Sequence, residues 1–516
     1  MPAPRSSRPL FTAAEAAFLR AVVRMGTVNP FLEDRIAAES EALGHDFQKV
    51  GRVMINLGGA NENVRRVGAR LGPLLGRIAQ RLADGAAATA EERTLYQEAC
   101  YYFLYDTFDV RLGAHRGGSD APVGFYEAFK KEYTRLLDVA RAPESPLPVE
   151  HLFACYFQIR RAYEHIYAGL LGSSLPVARL RAAVWETIFT CYLRSYLGGL
   201  FARLTDIPTL VTGPTGTGKE LVAEAIGYSR YLPFNPETAR FSASYDADFH
   251  PLNLSALSPQ LIESELFGHR LGAFTGAIHE KPGWLELAGE HGTLFLDEIG
   301  ELDAGLQVKL LRALEKRTFQ RLGDTKVRFL LGRIVAATHR DLAEAMAKGT
   351  FRSDLYYRLC GHLITTPSLR EQLDDAPDDL GNLVRSIALR VAGPRFAEPL
   401  ADATLRWIAT ELPPDYPWPG NVRELSQCVR NMMMSRAYRP AVRQAAEAAR
   451  DDFRRQLESG TLPLAEVVRW YSTVARANAG SLQETARRLG VDRHHVADKI
   501  DEALLARLLK ERAGKR

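Results

Sequence analysis

Along the first 170 residues, apolar positions recur at three- and four-residue spacing, the period of an amphipathic helix and not of a strand. Thr12 followed three residues later by Glu15 makes a capping box, predicting a helix over 13–26 with Gly26 just past its end. Asn29-Pro30 opens a second helix that Gly44 closes. The same period predicts helices over 62–83, 91–108, 126–140 and 149–170, with loops near 113–124 and 143–148. Residues 1–10, carrying Pro and Arg, are expected to be disordered. No strand alternates with these helices and no acidic cluster follows a first strand, so a phosphoacceptor receiver domain is excluded. The N-terminal region reads as all-helical.

The pattern changes near Gly172-Ser173-Ser174. From 209 onward short apolar runs at 209–211, 251–254, 293–296, 333–337 and 363–366 alternate with helical stretches, which predicts a parallel sheet covered on both faces. Charged residues 439–459 read as a linker helix. Residues 462–478 place Leu464, Val467, Val468, Tyr471 and Val474 at helical spacing. Then SLQETARRLGVDRHHVADKI reads as helix, turn at Gly490, helix, with Asp492 as N-cap and Ala486, Leu489, Val491, Val496 and Ile500 as core.

At 516 residues the chain is long enough for several domains, and 46% hydrophobic with 25% charged residues is ordinary for a globular protein. A net charge of +4 makes no general case for nucleic acid or membrane. The five cysteines are scattered without a C-x-x-C, as expected of reduced thiols, and no apolar run reaches the ~18 residues of a membrane span. A soluble cytoplasmic protein is expected. Tyr96, Tyr101, Tyr102, Phe103, Tyr105, Phe108, Phe125, Phe129, Tyr133, Phe153, Tyr156, Phe157, Tyr163 and Tyr167 concentrate in the N-terminal region. Helix-packing core is the plainer reading; a small-molecule sensor pocket is the sharper one. His151 and Cys155 lie one turn apart without further metal ligands at suitable spacing.

Chemistry concentrates at strand ends. Gly213-Pro214-Thr215-Gly216-Thr217-Gly218-Lys219-Glu220 sits between an apolar strand and a helix that starts at Leu221. Glycines let the backbone wrap a phosphate, the helix N-terminus adds positive potential, and Lys219 reaches the β/γ-phosphates. Glu220 stands where the metal-ligating Ser/Thr is usual. In GTLFLDEIGEL an apolar strand delivers Asp297, suited to hold Mg²⁺, and Glu298, suited to polarise an attacking water. In ELFGHRLGAFTGA, Gly272 and Gly276 bracket Ala273-Phe274-Thr275, the composition of a loop tip that exposes an aromatic.

Gly272–Ala277 together with the two phosphate motifs resembles the GAFTGA loop of sigma-54-dependent transcriptional activators, bacterial enhancer-binding proteins of the AAA+ superfamily. The resemblance spans about residues 170–438 and, more weakly, the C-terminus. It implies that GPTGTGKE, with Leu221 and the lid arginine Arg423 of WPGNVREL, holds ATP, and that Gly272, Ala273, Phe274, Thr275, Gly276 and Ala277 contact the sigma factor. It implies that Asn253 is a switch residue holding Glu298 from water. Arg352 and Arg358 of FRSDLYYRL become fingers reaching a neighbouring subunit's ATP, and Thr338 the sensor, His339 standing where Asn is commoner. Residues 181–202 and 228–250 are longer than that pattern requires. The C-terminus resembles a Fis-like helix-turn-helix whose second helix presents Arg493, His494, His495 and Lys499 to the DNA major groove. From Asn478 onward nine Lys/Arg face six Asp/Glu, a surplus of three, modest for DNA binding.

The organisation so implied is multidomain. It comprises an all-α signal domain over 1–168, an α/β AAA+ ATPase over 169–372 with a helical lid over 373–440, and a helix-turn-helix region over 441–516. Its partners would be sigma-54 and RNA polymerase holoenzyme, double-stranded enhancer DNA, further copies of itself from dimer to hexameric ring, and an unidentified signal; its cofactors ATP and Mg²⁺. An AAA+ remodeller of another protein, and a DNA-bound repressor that binds ATP without hydrolysing it, are the alternatives. Intact Gly272–Ala277 disfavours the first, and Glu298 with both arginines the second.

Overall fold

The computed structural model describes residues 10–48, 61–115, 122–138, 146–191, 193–243, 249–440, 453 and 455–513. The expected disorder of 1–9 and most of the expected linker helix over 439–459 lie outside them. The chain forms two compact units, Met1–Met434 and Ser435–Arg516.

In the first unit the helices are α1 (Ala13–Thr27), α2 (Glu33–Leu43), α3 (Glu62–Ala83), α4 (Ala90–Ala114), α5 (Tyr126–Leu137), α6 (Val149–Gly169) and α7 (Leu175–Phe189). The Thr12–Glu15 capping box is present in both directions. Gly26, expected to end α1, lies inside its last turn. A Cβ there would stand 3.2 Å from Tyr102 Cδ2, so glycine permits close helix approach at this point. Gly44 does end α2, at φ 58°. That helix begins at Glu33, because Asn29 is turned aside to donate to the Ala182 carbonyl and Glu186. α4 extends past the predicted end to Ala114, opened by a second capping box, Thr89–Glu92.

The sheet has five strands: β1 (Thr209–Thr212), β2 (Phe249–Asn253), β3 (Thr293–Asp297), β4 (Arg333–Thr338) and β5 (His362–Thr365). They run parallel in the order β5-β1-β4-β3-β2. All five lie where the apolar runs predicted them, and β1 is followed by helix α8 (Lys219–Gly227). Alternation along each strand separates two cores. Leu210, Leu294, Leu296, Ile334 and Ala336 enter the core beneath the helices Pro259–Phe267 and Ala304–Lys316. Val211, Phe295, Val335, Ala337 and Ile364 enter the other, which continues without a break into α1–α7.

The N-terminal helices are therefore not a detached signal domain. They supply part of the cover for one face of the sheet, and the 168/169 boundary falls within one compact unit. Gly172-Ser173-Ser174, where the pattern changes, is no free linker. Asp379 of the lid accepts from the Ser173 and Ser174 backbone N–H groups at 2.6 and 3.0 Å. The long connection after α8 carries a small ribbon, Phe234–Asn235 with Arg240–Phe241, whose two phenylalanines join the aromatic core of α5 and α6.

The lid comprises helices Leu369–Asp375, Asp379–Ala392, Ala397–Glu411 and Asn421–Ser435. The second unit holds Leu464–Ala479, Leu482–Leu489, Arg493–Asp498 and Glu502–Ala513. Gly490 takes φ 68°, as the predicted turn requires, and Ala486 and Val496 are buried as expected. Val491, expected in the core, is 40% exposed because it follows the turn residue and points outward. On Leu464–Ala479 the buried residues are Ser472, Thr473 and Ala477, while Leu464 and Tyr471 are exposed. Among the described residues, no helix is long and apolar enough to cross a membrane.

Candidate functional site

At the C-terminal ends of β1, β3 and β4 the phosphate-type loop, the acid pair and the lid meet. Gly213, Gly216 and Gly218 take φ 142°, 80° and 92°, and space demands glycine at two of them. A Cβ on Gly213 would lie 2.2 Å from Thr366 Oγ1, and one on Gly216 would lie 2.3 Å from the Gly420 carbonyl oxygen. The loop leads directly into the N-terminus of α8, where free backbone N–H groups suit a phosphate. Pro214 and Thr215 are exposed at its crest. Thr217 anchors the loop by donating to the Pro214 carbonyl at 2.8 Å, with Thr366 Oγ1 2.6 Å away. Lys219, 8% exposed, donates to the Gly213 and Pro214 carbonyls at 2.9 and 3.2 Å. Burial pushes its ammonium below the usual lysine range, opposed by Glu298 and Asp297. Glu220 is exposed in the first turn of α8, and Leu221 faces Gly169 of α6.

Asp297 ends β3, half-buried; burial, then the adjacent Glu298, pushes its carboxyl above the usual range. Such a group favours a bound cation, which would return it to the charged form. Glu298 takes φ 58°, ψ 48°, a strained left-handed turn for a non-glycine residue that re-aims its side chain at the strand end. Its Oε2 lies 2.7 Å from His339 Nδ1 and accepts the His339 backbone N–H at 3.3 Å.

The expected switch and sensor residues are placed as follows. Asn253 Oδ1 accepts from Ser255 N–H and Oγ at 2.9 and 2.7 Å, capping the turn after β2. Thr338, taken as sensor, is fully buried, its Oγ1 accepting the Arg340 N–H at 3.1 Å. His339 is the residue that touches the acid. The sequence signal for it was position: β4 runs parallel beside β3, so the residue just past its end neighbours the acid pair.

The segment 268–282 leaves the sheet as a protrusion. Its base is a ribbon of Gly268–His269 with Lys281–Pro282. Ion pairs of Arg321 with Glu286 and Glu280, and of Arg328 with Asp324 and Glu286, brace it. Gly272 and Gly276, at φ 77° and 105°, close the tip, where Gly272 N–H donates to the Ala277 carbonyl at 2.8 Å. Phe274 is 37% exposed, with its ring 5.1 Å from that of His269; Leu271 and Ile278 flank it at 69% and 73%. Ala273 packs beside Gly323 and Ala277 is buried, while Thr275 lies exposed at the tip. An exposed apolar tip on a braced base has the composition of a contact surface.

The family profile described as "Sigma-54 interaction domain" matches residues 201–365, the stretch that carries the loop, the acids and the protrusion. Residues 201–365 are thus similar to a sigma-54 interaction domain. The chain is similar to a Nif-specific regulatory protein of Enterobacter agglomerans, 46% identical over 224 residues, covering 43% of this chain and 39% of that protein. It is likewise similar to the transcriptional regulatory protein ZraR of Salmonella typhimurium, 37% identical over 302 residues, covering 57% and 63%. It thus spans between about two-fifths and three-fifths of these relatives' lengths. An overlap with NtrX from Brucella abortus in complex with ATP covers 75% of this chain and 81% of that one. It has 24% identity and a TM-score of 0.38, too loose to add to the reading.

Outside this rim, the two candidate finger arginines are placed differently. Arg352 is exposed and forks onto Asp354 at 3.0 and 2.6 Å. Arg358 is partly buried, both Nε and Nη2 donating to the Leu314 carbonyl at 3.1 and 2.7 Å. On the lid, the Arg423 backbone N–H donates to the Gly216 carbonyl at 3.2 Å while its side chain stays exposed. Asn421, which sequence reasoning passed over, does more. At φ 51° it donates to the Thr215 carbonyl at 2.9 Å and accepts the Leu369 N–H at 2.8 Å, clipping lid to loop. Asn-after-Gly in WPGN, a left-handed turn signal, was available to find it. In the second unit Arg493, His494 and His495 are exposed on the helix that Asp492 caps, whereas Lys499 is half-buried past its end. His151 and Cys155 make no metal site: Tyr231 and the Leu197 carbonyl take the two His151 nitrogens at 2.8 Å.

Proposed function

We propose that the chain is an ATP-hydrolysing transcriptional activator that binds enhancer DNA and drives the sigma-54 RNA polymerase complex from closed to open. The observation that carries this is continuity. β2 leads through Asn253 into helix Pro259–Phe267, then into the Phe274 protrusion, and back into β3, which ends in Asp297 and Glu298. Ser264 Oγ lies 2.7 Å from His269 Nδ1, and His269 backs Phe274, so a shift of that helix is felt at the tip.

ATP fits the glycine cradle, and when bound it supplies a phosphoanhydride whose cleavage releases free energy. Gly213–Leu221 would wrap the phosphates, Lys219 would exchange its loop carbonyls for phosphate oxygens, and Asp297 would hold Mg²⁺. Glu298 aligns the attacking water once His339 yields it, and Arg423 closes the lid. Arg352 and Arg358 act on a neighbouring subunit's site in a ring of up to six copies. Arg358 must give up its Leu314 carbonyl to do so, which makes Arg352 the readier of the two. Arg493, His494, His495 and Lys499 face DNA.

The test is gel filtration of the purified full chain with purified sigma-54 in ADP and aluminium fluoride. Co-elution is expected in that state and not in ADP alone. Absence of co-elution in both states overturns the reading.

A further inference from the structure

A cavity of about 540 Å³ lies among α1, α2, α3, α4, α6 and α7, within the range of small-molecule sites. The aromatic residues of this region divide on it. Tyr96, Phe129 and Phe153 are core, whereas Tyr102, Tyr105 and Tyr163 are only partly buried and line the hollow with Trp185. Tyr163 and Trp185 stand 4.8 Å apart by ring centroids, presenting adjoining aromatic surface.

The charges on its wall are paired, with one exception. Arg35 is taken by Glu39 at 2.9 Å, the Met25 carbonyl at 2.5 Å and Tyr102 Oη at 3.3 Å. Arg160 faces Asp109 at 3.6 Å, Arg194 meets Glu98 at 2.9 Å, and Arg65 meets Glu62 at 3.2 Å. Asp106 makes no hydrogen bond or ion pair among the described residues, with Arg35 and Asp109 its charged neighbours. Gly68 of α3 makes room for its carboxylate: a Cβ there would stand 2.5 Å from Asp106 Oδ2. A carboxylate left over among aromatic faces is complementary to an organic cation, through charge-assisted hydrogen bonds and cation–π contact.

We propose that this cavity binds a small aromatic ammonium compound, its cation held by Asp106 and its ring by Tyr102, Tyr105, Tyr163 and Trp185. The site is wired to the nucleotide rim through α6. Tyr156, Ile159, Arg160 and Tyr163 of that helix line the cavity. On its other side, Gln158 donates to the Ser229 carbonyl at 2.8 Å, and Arg161 to those of Tyr228 and Arg230 at 2.7 and 2.5 Å. These carbonyls follow directly on α8, whose first residue is Lys219. Occupying the cavity therefore shifts the helix that carries the phosphate-binding lysine.

The probes are tryptamine, indole-3-ethanol and indole-3-acetate, one ring carrying a cation, a neutral group or an anion, titrated calorimetrically into the full chain. Tryptamine is expected to bind at least about ten-fold more tightly than the other two. Asp106→Asn is expected to cut tryptamine affinity about ten-fold and to leave indole-3-ethanol unchanged, a difference that a merely loosened fold does not produce. No tryptamine binding, equal or tighter binding of indole-3-acetate, or an Asp106→Asn variant that keeps wild-type tryptamine affinity each overturns the site. Saturating tryptamine is expected to change ATP affinity at least about three-fold, and an unchanged value overturns the link through α6. That last arm rests on the nucleotide reading. If ATP does not bind at all, that reading fails while the tryptamine result stands.

Discussion

The nucleotide rim and the helical cavity sit on one continuous body yet are built on opposite terms. The rim is polar, glycine-rich and strained: three glycines and Glu298 hold positive φ within it, and carbonyls, a lysine and carboxylates converge over a few ångströms. The cavity is walled by helices whose backbones satisfy themselves, and its chemistry rests on aromatic faces and a single unmatched carboxylate. Strain at the rim is held because the sheet and lid over-determine it. Helices cannot store strain in that way, so a helical site recognises by leftover surface. The two also differ in what a substitution does. At the rim it changes chemistry; in the cavity it changes affinity and packing.

The largest separation is expected from Glu298→Gln. It should lower ATP turnover by about 10²–10⁴ while calorimetry still shows ATP binding, since only the water-polarising group is lost. Unimpaired turnover in the purified variant removes the catalytic assignment. Thr275→Ala comes next. Turnover is expected to stay within about two-fold while open-complex formation on a sigma-54 promoter in vitro is lost, because the tip lies outside the rim; normal activation sinks the loop assignment. Gly216→Ala is expected to weaken ATP binding at least about ten-fold, as its methyl group meets the Gly420 carbonyl and φ 80° disfavours any side chain. Wild-type affinity would show that the lid can open away at no cost.

On the helical side Arg161→Ala is expected to cost about 3 kcal/mol in denaturant unfolding, by removing charged donors from two carbonyls. A loss below ~1 kcal/mol would mean that α6 does not hold the end of α8. The smallest effect is a pH dependence. Burial, then Asp109, raises Asp106 to about 6, with Arg35 opposing and Tyr102 the remaining titratable neighbour. The folded state therefore disfavours the ionised form. This group's contribution is most favourable at low pH and declines as pH rises from ~4 through ~6. Asp106→Asn should flatten that slope in unfolding titrations; an unchanged slope assigns the carboxyl an ordinary range.

Local signals read well where the backbone itself carries the message. Gly213, Gly216 and Gly218 announced a phosphate-type loop because all three take positive φ, and the first two also approach their neighbours too closely for a side chain. Thr12 with Glu15 announced α1, and five apolar runs announced five parallel strands, because capping and burial act over a few residues. What failed to read were partners brought together by the fold. His339 meets Glu298 from a neighbouring strand end, and Asn421 clips lid to loop across 206 residues of sequence. Likewise Gly26 looked like a helix end, but its role is set by Tyr102 on another helix.

Sequence alone determined the order of elements, the phosphate loop, the acid-tipped strand and the Phe-tipped protrusion, since each is encoded by dihedral preference or periodicity within one short stretch. Only the tertiary structure decided that the N-terminal helices cover the sheet instead of standing apart, that they enclose a cavity, and that Asp106 is the charge left over inside it. Those facts depend on which side chains meet across long stretches of chain, and pairwise packing of that kind leaves no periodic trace in the sequence of any one helix.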